Sequence, residues 1–491
     1  MKYLVTAEEM RRADSFTIQE IGIPAMVLME RAALAAFEAA EGHCRKHPEA
    51  GKTALVMAGV GNNGGDGLAL ARMLSEAGFD TEVWVVGQKL KASEQWRQQR
   101  KILDRYSVIF CSKPRRSEYT ILIDALFGVG LSRELSGVYG DAVEKFNGLR
   151  GWKLALDMPS GVDSDTGRIL GRMSVRADET VTFGFCKRGL ILYPGALAAG
   201  KVTTADIGIP ESAFDGDLPE LFALDESPEE LMPKRCPWGN KGTFGKVLLA
   251  AGSPGMAGAA VLAAKAAYRA GAGMVKVMTP AENREILQIS VPEALVGTKE
   301  ELSSCFGWAD VIAIGPGLGK SAEARRMLEK VISDSSLPLL IDGDGLNLLA
   351  EDPAVRGSLA KQGAGGRSIV LTPHVGELAR LVGKEIPEVQ ENVAAWGRDL
   401  AMELQAVVAA KDARTFICKD GGPVCVNVSG NSGLATAGSG DVLAGGIAGL
   451  MAQGMEAYRA ACVGVYLHGL AGDRAAAERG EYACMAGDLV K

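Results

Sequence analysis

The stretch TALVMAGVGNNGGDGLALAR (53–72) most constrains what this chain can become. An apolar run ends at a glycine-rich turn, and an apolar helical pattern begins at once. Strand, glycine turn and helix in that order open a βαβ unit, which feeds a parallel sheet. The alternation recurs: TEVWVVG (81–87), YTILIDALFG (119–128) and KLALDMP (153–159) read as strands, separated by helical stretches such as 67–78. After ADIGIP (205–210), the acidic, proline-bearing and aperiodic segment ESAFDGDLPELFALDESPEELMPKRCP reads as a connector. Alternation then restarts with GKVLLAAGS (245–253), followed by ADVIAIGPGLG, a helix near 322–332, LPLLIDGDGLN and SIVLTPHVGE. A chain of 491 residues can bury two sizeable cores. The prediction is an α/β chain of two domains, 1–215 and 216–491. The halves share no motif, which makes this a fusion and not an internal repeat.

Composition removes several functions. The formal net charge of −7 gives no reason to expect a nucleic-acid partner. Glu8, Glu9, Arg11, Arg12 and Asp14 rule out a signal peptide at the start, and Thr6–Glu9 reads as a capping box opening a helix. Leu434–Met455 is the one stretch resembling a membrane span, but Asp441 and its glycines suit a buried helix better. The nine cysteines form no C-x-x-C pair and are odd in number, so reduced, buried thiols and a cytoplasmic location are expected.

Gly59, Gly61 and Gly64 have the spacing G-x-G-x-x-G. Free N–H groups at the following helix start favour phosphate. A dinucleotide cradle also needs an acid after the second strand, and VVGQK supplies only Gly87-Gln88. By spacing alone the glycines equally fit a tight turn. Asn62, Asn63 and Asp66 add oxygen-bearing side chains that suit a hard cation or a polar ring substituent. Asp124, Asp157 and Ser160 stand at two further strand ends, and strand ends of a parallel sheet meet in one crevice.

GVGNNGGDGLALAR, DALFGVGL (124–131), DMPSGVDSDTG (157–167) and TVTFGFCKRGL followed by VTTADIGIP together resemble the YjeF N-terminal domain, the NAD(P)H-hydrate epimerase, a Rossmann-like α/β/α sandwich. The resemblance covers about residues 1–215. It implies that Asn62, Asn63, Gly64, Gly65 and Asp66, then Gly128, Val129, Gly130, Leu131, Ser132, Arg133 and Glu134, and Asp157, contact a hydrated nicotinamide nucleotide. It also implies that Asn63, Asp124 and Ser160 bind K+. Such a hydrate carries a hydroxyl on C6 beside the ring nitrogen and is a carbinolamine. It changes epimer by opening or dehydrating and re-adding oxygen from the other face. Proton movement makes a positioned carboxylate useful, and Asp157 is expected to be that acid–base residue.

In the second half, GLATAGSGDVLAGGIAG (433–449) puts small residues before an apolar helix, with Asp441 in its first turn. Free amides there favour phosphate, and Asp441 is placed to take a proton from an attacking hydroxyl or simply to complement the helix dipole. GPGLGKS (315–321) is not a Walker A loop, because Ile314 stands where the first glycine is needed. His374 in LTPHVGEL, and Asp342 and Asp344 in IDGDGLN, read alone as loop and turn residues.

Together, KGTFGKVLLAAGSPGMAGAA, AIGPGLG, LIDGDGLNLL, LTPHVGEL, NSGLATAGSGDVLAGGIAGLMAQG and YLHGLAGD resemble the ADP-dependent NAD(P)H-hydrate dehydratase of the ribokinase-like superfamily, over about residues 225–491. By that resemblance Ala259, Gly317, Gly319, His374 and Asp441 face the hydrate. Gly440 with Lys411, Asp412, Ala413, Arg414 and Thr415 holds the adenine nucleotide. Asp412 replaces the usual glycine and sets a carboxylate near phosphates; Asn240 and DGDGLN also depart from the pattern. The implied chemistry phosphorylates the C6 hydroxyl, turning a poor leaving group into a good one, with Asp441 as base and Mg²⁺ offsetting phosphate charge.

The whole chain therefore reads as an epimerase feeding an epimer-specific dehydratase. Its small-molecule partners would be NADHX, NADPHX and ADP, with no nucleic acid and no membrane. A homo-oligomer, a tetramer or larger, is expected, with the helical stretch 6–40 either core or a packing face. A ribokinase-like vitamin-precursor kinase fused to a nucleotide-binding module is the alternative, since fold does not fix function. A non-enzymatic sensing module in the first half is a third.

Overall fold

The computed structural model describes residues 1–48 and 51–491. Two units separate by their internal packing, Lys2–Glu220 and Leu221–Lys491. The first has strands β1 (Lys2–Val5), β2 (Thr53–Ala58), β3 (Asp80–Val85), β4 (Val108–Cys111), β5 (Glu118–Ala125), β6 (Arg150–Leu156), β7 (Glu179–Phe183), β8 (Cys186–Lys187) and β9 (Lys201–Ala205). Seven of these form a sheet ordered β4-β3-β2-β5-β6-β7-β9, with every neighbouring pair parallel. β1 pairs in parallel with β8.

β2 is buried along almost its whole length, because helices cover both faces of a parallel sheet. From β2 the chain winds outward through β3 to β4, then returns to lay β5 on the other side of β2. The order reverses between β2 and β5, and there the loops after the two strands part to leave a crevice.

Helix Ala7–Phe16 starts on the expected capping box: the Thr6 hydroxyl accepts from Glu9 N–H, and the Glu9 carboxylate accepts from Thr6 N–H. The stretch read as one helix over 6–40 is broken before helix Ala25–Lys46, where Pro24 sits at the N-cap. Its Leu28, Ala32, Ala33 and Ala36 pack in the core, whereas Val27 and Leu34 stay exposed.

The second unit contributes β10 (Leu221–Ala223), β11 (Lys246–Ala250), β12 (Met274–Met278), β13 (Leu295–Gly297), β14 (Val311–Ile314), β15 (Leu339–Ile341), β16 (Ile369–Leu371), β17 (Val407–Ala410), β18 (Phe416–Cys418) and β19 (Val424–Val426). Their order is β13-β12-β11-β14-β15-β16-β17-β18-β19-β10, parallel except at β17–β18 and β18–β19. Here the order reverses between β11 and β14.

β10 lies inside the segment read as a connector. Its three apolar residues are too short a run to show periodicity, and pairing with β19 makes it a strand. The apolar stretch around 434–455 is a buried helix, Ser439–Ala452. Among the described residues no helix is long and apolar enough to cross a membrane.

Candidate active sites

The first site occupies the crevice between β2 and β5. A cavity of about 510 Å³ is lined by Gly59–Asn63 and Asp66 after β2, by Leu126–Leu131 after β5, by Asp157 after β6, and by Lys187 of β8. Helices Ala7–Phe16 and Ala25–Lys46 close its apolar wall with Met10, Leu28, Met29 and Ala32. The structure thus brings the three predicted strand ends together.

Asp157 takes a left-handed backbone, φ 65°, which costs a side-chain-bearing residue about 1–2 kcal/mol. The bond from its N–H to the Val181 carbonyl, 2.8 Å, holds it there. That turn aims the carboxylate into the cavity mouth. Oδ1 accepts from Lys187 Nζ at 2.5 Å and from the Thr182 hydroxyl at 3.3 Å; Oδ2 takes only the Val129 N–H at 3.3 Å. Lys187 is 1% exposed and gives its other two donors to Thr182 Oγ1 and the Phe183 carbonyl. All three donors of the buried ammonium are thus engaged, and a side chain at Gly128 would sit 2.7 Å from Asp157 Oδ2. Among the described residues, Oδ2 is therefore the less engaged oxygen.

Asp124 is fully buried at the end of β5. Its oxygens accept from Ser160 N–H (2.7 Å), Ser160 Oγ (2.8 Å) and Leu126 N–H (3.1 Å). Burial still pushes its carboxyl up to about 6, with the Ser160 bonds pulling the other way. Ser160 Oγ also accepts from Phe127 N–H, at 3.0 Å. Among the described residues both polar atoms of the Asn63 amide lack a partner; its amide carbon stands 3.5 Å and Asp157 Oδ2 2.7 Å from the Gly128 Cβ position. Amide and carboxylate oxygens are the donor types a hard cation takes.

Of the other predicted contacts, Asn62, Asp66 and Gly128–Leu131 line the cavity. Gly64 and Gly65 pack instead, against Gly59 and Met29. Ser132, Arg133 and Glu134 are exposed beyond the lining. Lys187 and Asp14, which also line the cavity, were missed by sequence reasoning. The available signal was a lysine in the quoted FCKRG, set against the apolar run TVTF that leads into it.

The second site lies where β11 and β14 part. The loops after β11, β14, β15, β16 and β17 carry Ser253, Gly315–Gly319, Asp342–Asp344, Thr372–His374 and Lys411. Helix Ser439–Ala452 points its N-terminus at them. Lys411 Nζ donates to Asp342 Oδ1 at 2.9 Å and lies 3.3 Å from the Gly440 Cβ position, across the helix start. A cation and free helix amides together make an anion site. Thr372 Oγ1 also donates to Asp342 Oδ1, and Gly319 N–H donates to Asp344 Oδ2.

Asp441 receives no hydrogen bond from any described residue, and burial with the Asp342 charge lifts its carboxyl to about 7. His374 caps helix Val375–Val382. Its Nδ1 accepts from Gly376 and Glu377 N–H, so Nε2 carries the proton and faces Glu377 Oε1 at 3.4 Å. Burial, then Lys411, holds His374 below its ordinary value, and burial raises Glu377 to about 7.

Gly317 packs close to Ala259, joining two predicted hydrate contacts. In the segment 411–415 Lys411 reaches the cluster; Asp412 and Ala413 are exposed, Arg414 reaches toward the Val428 carbonyl and the Thr415 carbonyl accepts from Asn427. His468 was also missed. Its Nε2 lies 3.1 Å from Ser439 Oγ and bolts the glycine turn in place, while burial holds the imidazole down at about 4.

Known proteins resemble each half. A family model described as YjeF-related protein N-terminus matches residues 25–189, and one described as NAD(P)H-hydrate dehydratase matches 247–491. A bifunctional NAD(P)H-hydrate repair enzyme of Moorella thermoacetica is 38% identical, over 99% of this chain and 95% of its own. One of Coxiella burnetii is 37% identical, over 100% of this chain and 98% of its own. Among solved structures, the ADP/ATP-dependent NAD(P)H-hydrate dehydratase of Bacillus subtilis, co-crystallised with ATP and Mg²⁺, is 29% identical with a TM-score of 0.46, covering 54% of this chain and 94% of that one. Near-complete alignment at such identity, across both sites, places this chain in the family of bifunctional NAD(P)H-hydrate repair enzymes.

Proposed function

We propose that the two sites are successive stations of one repair: the first interconverts the R and S forms of NAD(P)H hydrate, and the second dehydrates the S form to NAD(P)H. The reading is carried by one observation. Each half places a carboxylate, Asp157 or Asp441, beside a glycine turn where its strand order reverses, in a chain aligned end to end with bifunctional relatives.

In the first site the hydrate lies along Gly128–Leu131 with its C6 hydroxyl at Asp157 Oδ2. Asp157, held by the Lys187 ammonium, takes the proton released when water adds back to C6. Asn63, Asp124 and Ser160 would hold K+, which would supply positive charge beside the loop after β5. Ser132, Arg133 and Glu134 form the outer rim of the bound nucleotide.

In the second site ADP sets its terminal phosphate on the Gly440 amide at the helix start, beside Lys411. Asp441 takes the proton of the C6 hydroxyl as that oxygen attacks phosphorus, and AMP departs. The ring nitrogen then expels phosphate, and loss of a C5 proton restores the reduced ring. No group of three or more His, Cys, Asp or Glu among the described residues is placed to hold a metal alone. Mg²⁺ would therefore be held by the nucleotide phosphates with one or two carboxylates, and would neutralise their charge. Val27 and Leu34 are the face offered to further copies in a homo-oligomer.

The test supplies both epimers of NADPH hydrate with ADP, Mg²⁺ and K+ and follows near-ultraviolet absorbance. Complete recovery, faster than spontaneous epimerisation, is expected. Recovery that stalls when one epimer is spent would remove the epimerase. A stable phosphorylated product without recovery would turn the second half into a kinase.

A further inference from the structure

The first cavity holds two carboxyl groups that the Asp157 chemistry leaves unused. Asp14 and Asp66 line it together with Asp157 and Lys187. Their settings differ sharply. Asp157 has an ammonium and two further donors, whereas no described residue donates a hydrogen bond to Asp14 or Asp66. Burial and the charge of Asp157 hold the Asp14 carboxyl above the usual range, against the pull of Lys187. Asp66 is pushed well up by burial, by Asp157 and by Asp14 itself. The groups facing Asp14 are thus Asp66 from helix Asn62–Glu76, Asp157 after β6, Lys187 of β8 and, on its own helix, Arg11.

Asp14 is also held in place. Its helix is capped by Thr6 and Glu9; Arg188 bonds Glu9 at 3.1 Å, and Asp165 Oδ1 accepts from Ala7 N–H at 2.6 Å. A helix pinned at its start by groups from 165 and 188 presents Asp14 to the cavity on a rigid arm.

We propose that Asp14 is the proton donor of the epimerase site, the acid that works with Asp157 as base; this rests on the epimerase reading given above. A cavity with one carboxylate held by an ammonium and, beside it, a carboxyl that no described residue donates to and that burial raises has the two kinds of group that a reversible loss and return of water requires. The Asp14 proton goes to the C6 hydroxyl, and the C–O bond breaks with its electron pair leaving on water. The ring-nitrogen lone pair forms a C=N⁺ bond to C6. Water then adds to the other face, the C=N pair returns to nitrogen, and Asp157 takes the released proton. Transfer of that proton through solvent to Asp14 resets the pair, so atoms and charge balance over the cycle.

The experiment measures epimerisation of the R hydrate by the full-length chain, without ADP so that dehydration is idle, from about pH 5 to about pH 10. In the wild type kcat/KM falls on the alkaline side as the donor loses its proton. Asp14→Asn is expected to lower kcat about 100-fold, leave KM within about threefold, and abolish that alkaline limb. Asp14→Glu keeps a limb at a displaced pH, which maintains the test if the Asn variant does not fold. An alkaline limb unchanged in both variants overturns the assignment. A wild-type chain that does not epimerise at all would overturn the functional reading instead.

Discussion

The two sites use one architectural device with opposite electrostatics. Each sits where the strand order reverses, with a glycine turn and a helix start on one wall and strand-end carboxylates on the other. In the first, Lys187 is buried against Asp157 and pairs with it at 2.5 Å. In the second, Lys411 is engaged by Asp342, and Asp441, with no donor among the described residues, is raised by burial to about 7. The difference follows from the chemistry. A carbinolamine needs one group always ready to accept a proton, whereas phosphoryl transfer needs cation and amides on the phosphate and a base that ionises near neutrality.

The largest effect should break the symmetry cleanly. Asp441→Ala is expected to lower dehydration of the S hydrate by about 10³–10⁴-fold while epimerisation continues, and Asp157→Asn the reverse by about 10²–10³-fold. Each is read by supplying single epimers. If either variant impaired both activities alike, the division of labour would be wrong.

Lys187 and Lys411 sharpen the contrast next. Lys187→Met leaves Asp157 buried and unpaired, and should cost about 3–5 kcal/mol of stability in the first unit by denaturant unfolding. The double variant Asp157→Asn/Lys187→Met should recover part of it, because the stranded charge is gone. A smaller loss is expected from Lys411→Met, whose partner Asp342 keeps the Thr372 bond.

Dehydration should also carry a pH signature. Asp441 must be ionised to take the proton, so kcat/KM should rise about tenfold per pH unit on the acid side and level off above about 7. The same shift acts on stability with a definite sign. A carboxyl raised in the fold favours the folded state below its unfolded value, 3.8, and that contribution is lost as pH rises through about 7. Asp441→Asn should therefore stabilise the chain at about pH 8 by roughly 1–2 kcal/mol. A flat rate profile, or an Asn variant that melts earlier there, would contradict this.

The smallest effect concerns Asp412. It is exposed, so Asp412→Gly should lower the KM for ADP by only about two- to fivefold, and less at high salt. An unchanged KM would mean the carboxylate points clear of the phosphates.

Much of this was legible in local patterns. Strand and helix alternation marked out β2, β5, β6 and β11, and helix Ala322–Ser333 lies where the apolar periodicity put it. Thr6 and Glu9 marked a helix start that the structure forms. β10 escaped because three residues hold no period, and the helix break before Pro24 was hidden by apolar residues on both sides.

By itself the sequence determined the two α/β halves, the glycine turns and the carboxylates at strand ends, because period, turn chemistry and residue type are local properties. Only the tertiary structure decided which of these groups share a cavity. Asp14 and Asp157 are separated by most of the first unit in sequence, and Lys187 reads as an ordinary lysine until β8 carries its ammonium to Asp157. Burial, pairing and the left-handed turn at Asp157 are consequences of packing, and packing brings together residues that no local window contains.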